Sequence, residues 1–254
     1  MTELLAGGFA VLAVLAVWVT RSAWFKGKSG EATVHSALRR QLDETGFRIL
    51  KDLTLPATDG STQIDHVVIS RFGVFVIETK NMQGWIFGSA DQTHWTQTLY
   101  RRKSRFQNPV RQNYGHVKAV QAALDLDADR IHSVVVFVGS AVPRTAMPPG
   151  VVWGAQSLIE HIRMRRLAAF EEGEIGGLAD RLAQKRLRPG LLTNRAHVRH
   201  VKALAARRQS ETAKCPRCGS GMIERTNRKS GEAFLSCSRF PKCRGTREAP
   251  RFPA

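Results

Sequence analysis

Acidic side chains are scarce in this chain of 254 residues: 21 Asp and Glu stand against 39 Lys and Arg, a formal net charge of +18. So basic a chain is suited to a polyanionic partner rather than a basic one. Cysteine is nearly absent, with four residues, all after Lys214. That excludes a disulfide framework for the first 214 residues and leaves the tail as the one place where thiol chemistry can operate. No internal repeat and no low-complexity tract occurs, which excludes a solenoid or a biased linker protein. Tyrosine is limited to two residues, and aromatic residues make up 7% of the chain.

The positive charge is unevenly spread. Residues 31–140 carry about +2, residues 141–180 about −1, residues 181–213 about +8 and residues 214–254 about +7. Most of the attraction for phosphates is therefore expected from the last third, where Lys and Arg displace counterions from a nucleic-acid backbone. A solvated linker and a contact with anionic lipid are the other readings of such a run.

Two short stretches carry the most chemistry. Gln63-Ile64-Asp65-His66-Val67-Val68-Ile69 and Gly73-Val74-Phe75-Val76-Ile77-Glu78-Thr79-Lys80 are rich in β-branched and aromatic residues and meet at Ser70-Arg71-Phe72-Gly73. They predict a β-hairpin. Alternation puts Glu78 and Lys80 on one face, and an even-numbered loop places Asp65 across from Glu78 on that face. Two carboxylates and an ammonium converging there suit Mg²⁺ or Mn²⁺, which takes oxygen ligands from one or two carboxylates with water completing the shell. An ordinary cross-strand ion pair at a hairpin edge is the alternative.

The wider segment adds Gly30-Glu31 at the start of an amphipathic run with Val34, Leu38 and Leu42, then Leu53-Thr54-Leu55-Pro56. After the hairpin come Gly84-Trp85-Ile86-Phe87-Gly88, Trp95-Thr96-Gln97 and Asn108-Pro109-Val110-Arg111-Gln112-Asn113-Tyr114-Gly115-His116-Val117. This order resembles the NERD (nuclease-related) domain, a branch of the PD-(D/E)xK superfamily, from about Gly30 to Gly139. The resemblance implies an α/β fold: a restriction-endonuclease-like mixed sheet flanked by helices. It implies a metal-dependent nuclease site with Asp65 and Glu78 as metal ligands, Lys80 as catalytic lysine, Glu31 as an accessory acid and Gln112 as a positioner of the substrate strand. Ile64 stands where the superfamily's proline would be, as is usual for the NERD branch. Gln112 has a second reading as part of a capping cluster behind Asn108-Pro109. His66 reads either as a metal or phosphate contact or as a hydrogen-bonding group within the hairpin, and Trp85 and Trp95 as sheet-covering residues or base-stacking platforms.

The tail is the second signal. Cys215-Pro216-Arg217-Cys218-Gly219 and Cys237-Ser238-Arg239-Phe240-Pro241-Lys242-Cys243 use all four cysteines. A C-x₂-C knuckle, a hairpin-length spacer and two further cysteines fit a tetrahedral Zn²⁺ site of Cys215, Cys218, Cys237 and Cys243. Disulfides are the alternative. The stretch from Phe234 to Cys243 resembles the C-terminal zinc ribbon of type IA topoisomerases, which implies single-stranded DNA binding. Arg217, Arg239, Lys242 and Arg244 would then meet phosphates and Phe240 a base, although Phe240, like Phe234, also reads as packing for a small domain.

Finally, Leu4 to Val19 is unbroken by charge, near the lower limit of the about 17 to 25 residues that span a bilayer. With basic residues only on its C-terminal side, it predicts a single-pass anchor in the cytoplasmic membrane with the bulk of the chain inside; a signal peptide is the rival. The expected organisation is 1–29 transmembrane anchor and basic flank, 30–168 NERD domain, 169–213 basic helical linker, 214–247 zinc ribbon and 248–254 tail. The expected function is a membrane-anchored, Mg²⁺-dependent nuclease or DNA-processing protein; the alternative is a non-catalytic protein that tethers DNA at the membrane.

Overall fold

A computed structural model describes residues 23–43, 46–57, 60–187, 214–227 and 233–248. The strongest β-forming runs build a five-stranded mixed sheet. Strands β1 (Phe47–Ala57), β2 (Gly60–Ser70) and β3 (Gly73–Asn81) form an antiparallel meander, and β7 (Ile131–Val138) and β9 (Val151–Trp153) extend it in parallel, giving the order β1-β2-β3-β7-β9. Strands β3 and β7 are almost continuously apolar because helices cover both of their faces, as parallel pairing requires. On one face Val34 and Leu38 of α1 (Ala23–Gln41), Leu42 just after it, and Leu158, Ile159 and Ile162 of α3 (Ala155–Arg163) pack against Val68, Phe75, Ile77, Val134 and Val136. On the other, Ala119, Val120 and Leu124 of α2 (Pro109–Leu124) join Ile175, Leu178 and Leu182 of α4 (Glu174–Lys185) over Val67, Ile69, Val74 and Val76.

A second, four-stranded sheet has the order β6-β5-β4-β8, from β4 (Gly84–Phe87), β5 (His94–Leu99), β6 (Arg102–Gln107) and β8 (Ala141–Pro143). It continues from the ends of β3 and β7, which lead directly into β4 and β8. At this corner Gly139 has φ +88°, and a Cβ there would lie 2.5 Å from the Met82 carbonyl oxygen, while the Met82 amide donates to Val138 O at 3.0 Å. Only glycine fits that left-handed, crowded position.

Asn108 fastens the second sheet to α2. Its Oδ1 accepts the Val110 amide at 2.9 Å as an N-cap, with Pro109 at the first helical position, and its Nδ2 reaches the carbonyls of Ser89, Ala90 and Gln92 at 3.1, 3.2 and 2.7 Å. The residue is fully buried. Asn108→Ala removes the cap and strands those carbonyls, so a loss of about 2–4 kcal/mol in a urea melt is expected; a change under 1 kcal/mol would show the loop holds without it.

Two expectations are corrected. No helix among the described residues is long and apolar enough to cross a membrane, so the transmembrane element of the expected fold class and the single-pass membrane location are withdrawn. Leu4–Val19, on which both rested, lies outside the described residues, and the first described helix carries Lys26, Lys28, Glu31, Arg39 and Arg40 while burying Val34 and Leu38 in the core. The fold is mixed α/β, with two sheets in its main body. Helix α4, within the stretch expected as a linker, packs on the sheet through Ile175, Leu178 and Leu182. The rest of that expected linker, residues 188–213, lies outside the described residues.

The tail forms its own three-stranded sheet, β10 (Met222–Thr226), β11 (Ala233–Cys237) and β12 (Thr246–Glu248), antiparallel throughout.

Candidate functional site

The β2–β3 pairing ends at His66 and Ile77, and one step beyond it Asp65 stands opposite Glu78. There the Asp65 side chain takes over from the ladder: its Oδ2 accepts the Thr79 amide proton at 2.8 Å. Strand alternation puts Asp65, Glu78 and Lys80 on the face that α2 covers. Glu78 is 3% exposed. Lys80 Nζ lies 2.7 Å from Glu78 Oε1 and donates to Gln112 Oε1 at 2.9 Å, and His116 Nδ1 is 3.4 Å from Glu78 Oε2. Gln112 and His116, one turn apart on α2, thus grip the strand residues from above.

Asn113 sets the height of that helix. Fully buried, its Nδ2 lies 2.9 Å from Val76 O, 2.9 Å from Ser133 Oγ and 3.2 Å from Val134 O, tying α2 to β3 and β7 one residue from Gln112. On the far side, Gly30 lets α1 press on the end of β3: a Cβ there would come within 2.6 Å of Asn81 Cβ and 3.1 Å of Val138 Cγ2. The next residue is Glu31, whose carboxylate pairs with Lys28 Nζ at 2.8 Å.

Burial and the neighbouring Glu78 push the Asp65 carboxyl up to about 8, with a smaller push from Glu31, against the Thr79 hydrogen bond and Lys80, which favour the charged form. Two acids face each other across the strands with one ammonium to share. Asp65, Glu78, Lys80 and Gln112 are therefore brought together, and Glu31 joins them through its field rather than by contact. His116 was not among the expected site residues; its spacing of four from Gln112 was the signal. His66 points to the opposite face, where burial and His35, stacked on it at 5.5 Å, hold its pKa down to about 4, so it is a neutral packing residue. Trp95 is fully buried, and Trp85 is half-exposed.

The four cysteines form the other site. Their Sγ atoms lie within 4.8 Å of one another, with Cys215 to Cys243 at 3.7 Å and Cys218 to Cys237 at 3.5 Å. A disulfide needs about 2.05 Å, whereas sulfurs about 2.3 Å from a tetrahedral Zn²⁺ stand about 3.8 Å apart. Gly219, at φ +69°, turns the knuckle, and its amide donates to Cys215 O at 2.9 Å. A Cβ on Gly245 would lie 2.3 Å from Cys215 Sγ, so the second knuckle approaches through bare backbone. Arg217, Arg239, Lys242 and Arg244 are exposed around the ribbon, and the half-exposed Phe240 carries the Arg225 guanidinium 5.4 Å from its ring centre. Among the described residues, these cysteines alone gather three or more His, Cys, Asp or Glu ligand atoms this closely.

Residues 26–138 match the nuclease-related domain family (NERD), and residues 212–251 match the topoisomerase DNA binding C4 zinc finger. The chain carries a NERD domain and a topoisomerase-type zinc ribbon. An uncharacterized protein of Bacillus anthracis is 49% identical over 98 residues, 38% of this chain and 46% of that protein. DNA topoisomerase 1 of Pyrococcus horikoshii is 50% identical over 30 residues, 12% of this chain and 4% of the enzyme. The chain thus spans less than half the length of either relative. A solved structure of a protein of unknown function is 13% identical, covering 69% of this chain and 96% of its own, with a TM-score of 0.29. Pyrococcus furiosus SfsA in complex with Ca²⁺ is 18% identical, covering 52% and 56%, with a TM-score of 0.24. Both superpositions are too loose to establish a shared fold. The Cys₄ set of the ribbon supports Zn²⁺ there.

Proposed function

We propose that the NERD domain is a divalent-metal-dependent phosphodiesterase of the PD-(D/E)xK kind and that the ribbon holds its DNA. The observation that carries the reading is the Asp65–Glu78 pair, Glu78 buried and Asp65 partly so, on adjacent strands and facing the same way, with Lys80 Nζ 2.7 Å from Glu78. Two acids held this close with little water around them call for a cation beyond the one lysine. The donor set fits Mg²⁺ or Mn²⁺ held by two carboxylates with water in the remaining positions, rather than an all-protein cage.

Bound there by Asp65 and Glu78, the ion would supply Lewis-acid stabilisation and lower the pKa of a coordinated water. Lys80 keeps a positive Nζ beside the reacting phosphate, where charge builds in the transition state. Gln112 fixes that amine through its Oε1. His116 lies against the outer oxygen of Glu78 and orients it, and Glu31 adds negative charge next to Asp65 that favours cation capture. Arg217, Arg239, Lys242 and Arg244 neutralise phosphates away from the cleavage point, and Phe240 offers a stacking face.

Single- and double-stranded DNA and RNA incubated with zinc-loaded protein and Mg²⁺ or Mn²⁺ test the reading. Cleavage is expected, and Lys80→Ala is expected to slow it by about 10²–10³-fold, as removal of one charge-stabilising donor does, with oligonucleotide affinity kept within about twofold. No cleavage of any substrate, together with no Mn²⁺ binding lost in Asp65→Asn, would leave the second reading, a non-catalytic DNA binder.

A further inference from the structure

The near-neutral sum over residues 31–140 hides a sharp segregation. From Gln92 to Leu124 the chain holds six Lys and Arg and no Asp or Glu. Four of the six, Arg101, Arg102, Lys103 and Arg105, lie on the turn and outer strand of the β5–β6 hairpin, and all four are exposed.

Pairing across the second sheet sorts its side chains. Val142, Trp85, Thr98 and Lys103 form one row, and Phe87, Thr96 and Arg105 the next. Alternation sends these to one face, because Ile86, Trp95 and Phe106 fill the other: Trp95 is buried, stacked 6.1 Å from Phe137 and edge-on to Phe106. The outward face therefore presents Trp85, 48% exposed, beside Thr96, Thr98, Lys103 and Arg105. The Arg144 guanidinium lies 4.4 Å from the Trp85 ring centre. Its backbone is pinned, the Arg144 amide donating to Ile86 O at 2.8 Å and Thr145 Oγ1 donating to Gly88 O at 2.7 Å. At the hairpin tip Tyr100 is 94% exposed with φ +54°.

We propose that this outward sheet face binds single-stranded nucleic acid, with a base stacked on Trp85 and phosphates tracked by Lys103, Arg105 and Arg101. Edge strands are commonly guarded by Lys and Arg, which accounts for β6 but not for an exposed tryptophan on the interior strand β4 under an arginine. A flat sheet with an aromatic platform and a border of cations suits unpaired bases, since every base has a face to stack and every linkage a charge to neutralise. Trp85 is five residues beyond Lys80, at most ~17 Å of extended chain. The inference rests on reading the chain as a nucleic-acid protein, and it needs no hydrolysis.

The test is fluorescence anisotropy of a labelled 20-nucleotide oligo(dT) with full-length, zinc-loaded protein in buffer without Mg²⁺ or Mn²⁺, beside a 20-base-pair duplex. Trp85→Ala is expected to weaken oligo(dT) binding about tenfold, with Trp85→Phe recovering most of it. Lys103→Glu with Arg105→Glu should lower the salt slope by about 1.4, the equivalent of two single-strand phosphate contacts. Ultraviolet crosslinking should place the oligonucleotide on the peptide spanning residues 84–107, and thermal melts of the variants should match the wild type. Wild-type affinity in all sheet variants, or crosslinks confined to residues 214–248, would overturn the proposal, as would an equal loss on the duplex or a wild-type protein that binds no oligonucleotide. Binding through the sheet without cleavage would sink the nuclease reading alone; cleavage with binding through the ribbon alone would sink this one.

Discussion

Asp65→Asn is expected to make the Mg²⁺-free protein more stable at alkaline pH while abolishing the divalent-ion binding proposed for Asp65 and Glu78. The folded-state pKa of Asp65 is raised from an ordinary 3.8 to about 8, first by burial and then by Glu78. A raised value means that the folded state holds a proton the unfolded state has released. The stabilisation is complete below about pH 4 and lost as pH rises through about 8. Over that window the wild type forfeits on the order of 5 kcal/mol. Asparagine presents the same shape, accepts the Thr79 amide proton and never ionises. In Mg²⁺-free buffer the wild-type Tm should therefore fall by roughly 10 °C or more between pH 5 and pH 9, and the Asp65→Asn variant should stay nearly level. Millimolar Mg²⁺ or Mn²⁺ at pH 9 should restore the wild type and leave the variant unmoved. Superimposable curves for the two proteins would mean that Asp65 is not held in the strained state its surroundings impose.

Removal of zinc is the second large effect, and it is local. Within the ribbon the fully covered groups are few, chiefly Cys215, Ser236, Cys237 and Gly245, so three short strands have almost no apolar interior to hold them. Structural zinc contributes about 10–16 kcal/mol to such a unit, far above what its core supplies. A strong chelator, or Cys237→Ser, should collapse the amide dispersion of residues 214–248 in an NMR spectrum, while resonances of residues 23–187 stay in place. Tryptic cleavage at Arg225 and Arg239 should become rapid. Retained dispersion after chelation would refute a metal-held ribbon.

The hairpin that carries the site was legible because its two β-branched runs flank a short turn, and counting residues through that turn put Asp65 opposite Glu78. Asn108-Pro109 announced the start of α2 through cap chemistry. The four cysteines declared their partnership by spacing alone. Other parts were hidden for physical reasons. The apolar stripe of α4, Ile175, Leu178 and Leu182, is interleaved with Arg181 and Lys185 and followed by Arg186, so basic composition masked a core helix. Strands β5 and β6 are polar on the outward face and pair only locally, and Trp95 and Phe106 on the inward face gave too short a pattern to reveal a second sheet. The spacing of four puts His116 on the helix face of Gln112, but that this face meets Glu78 depends on how α2 packs on the sheet.

The corner at Gly139 has a mechanical result. Chain crosses it twice, through Met82 on the way from β3 to β4 and through Gly139 on the way from β7 to β8, and the two crossings are clasped by the Met82 amide on Val138 and by contact too close for any side chain. Such a double splice resists bending, so the outer sheet behaves as a rigid arm of the strand that bears Glu78 and Lys80. Anything gripped by that arm is held at a set span from the acids, as by the jaw of a caliper.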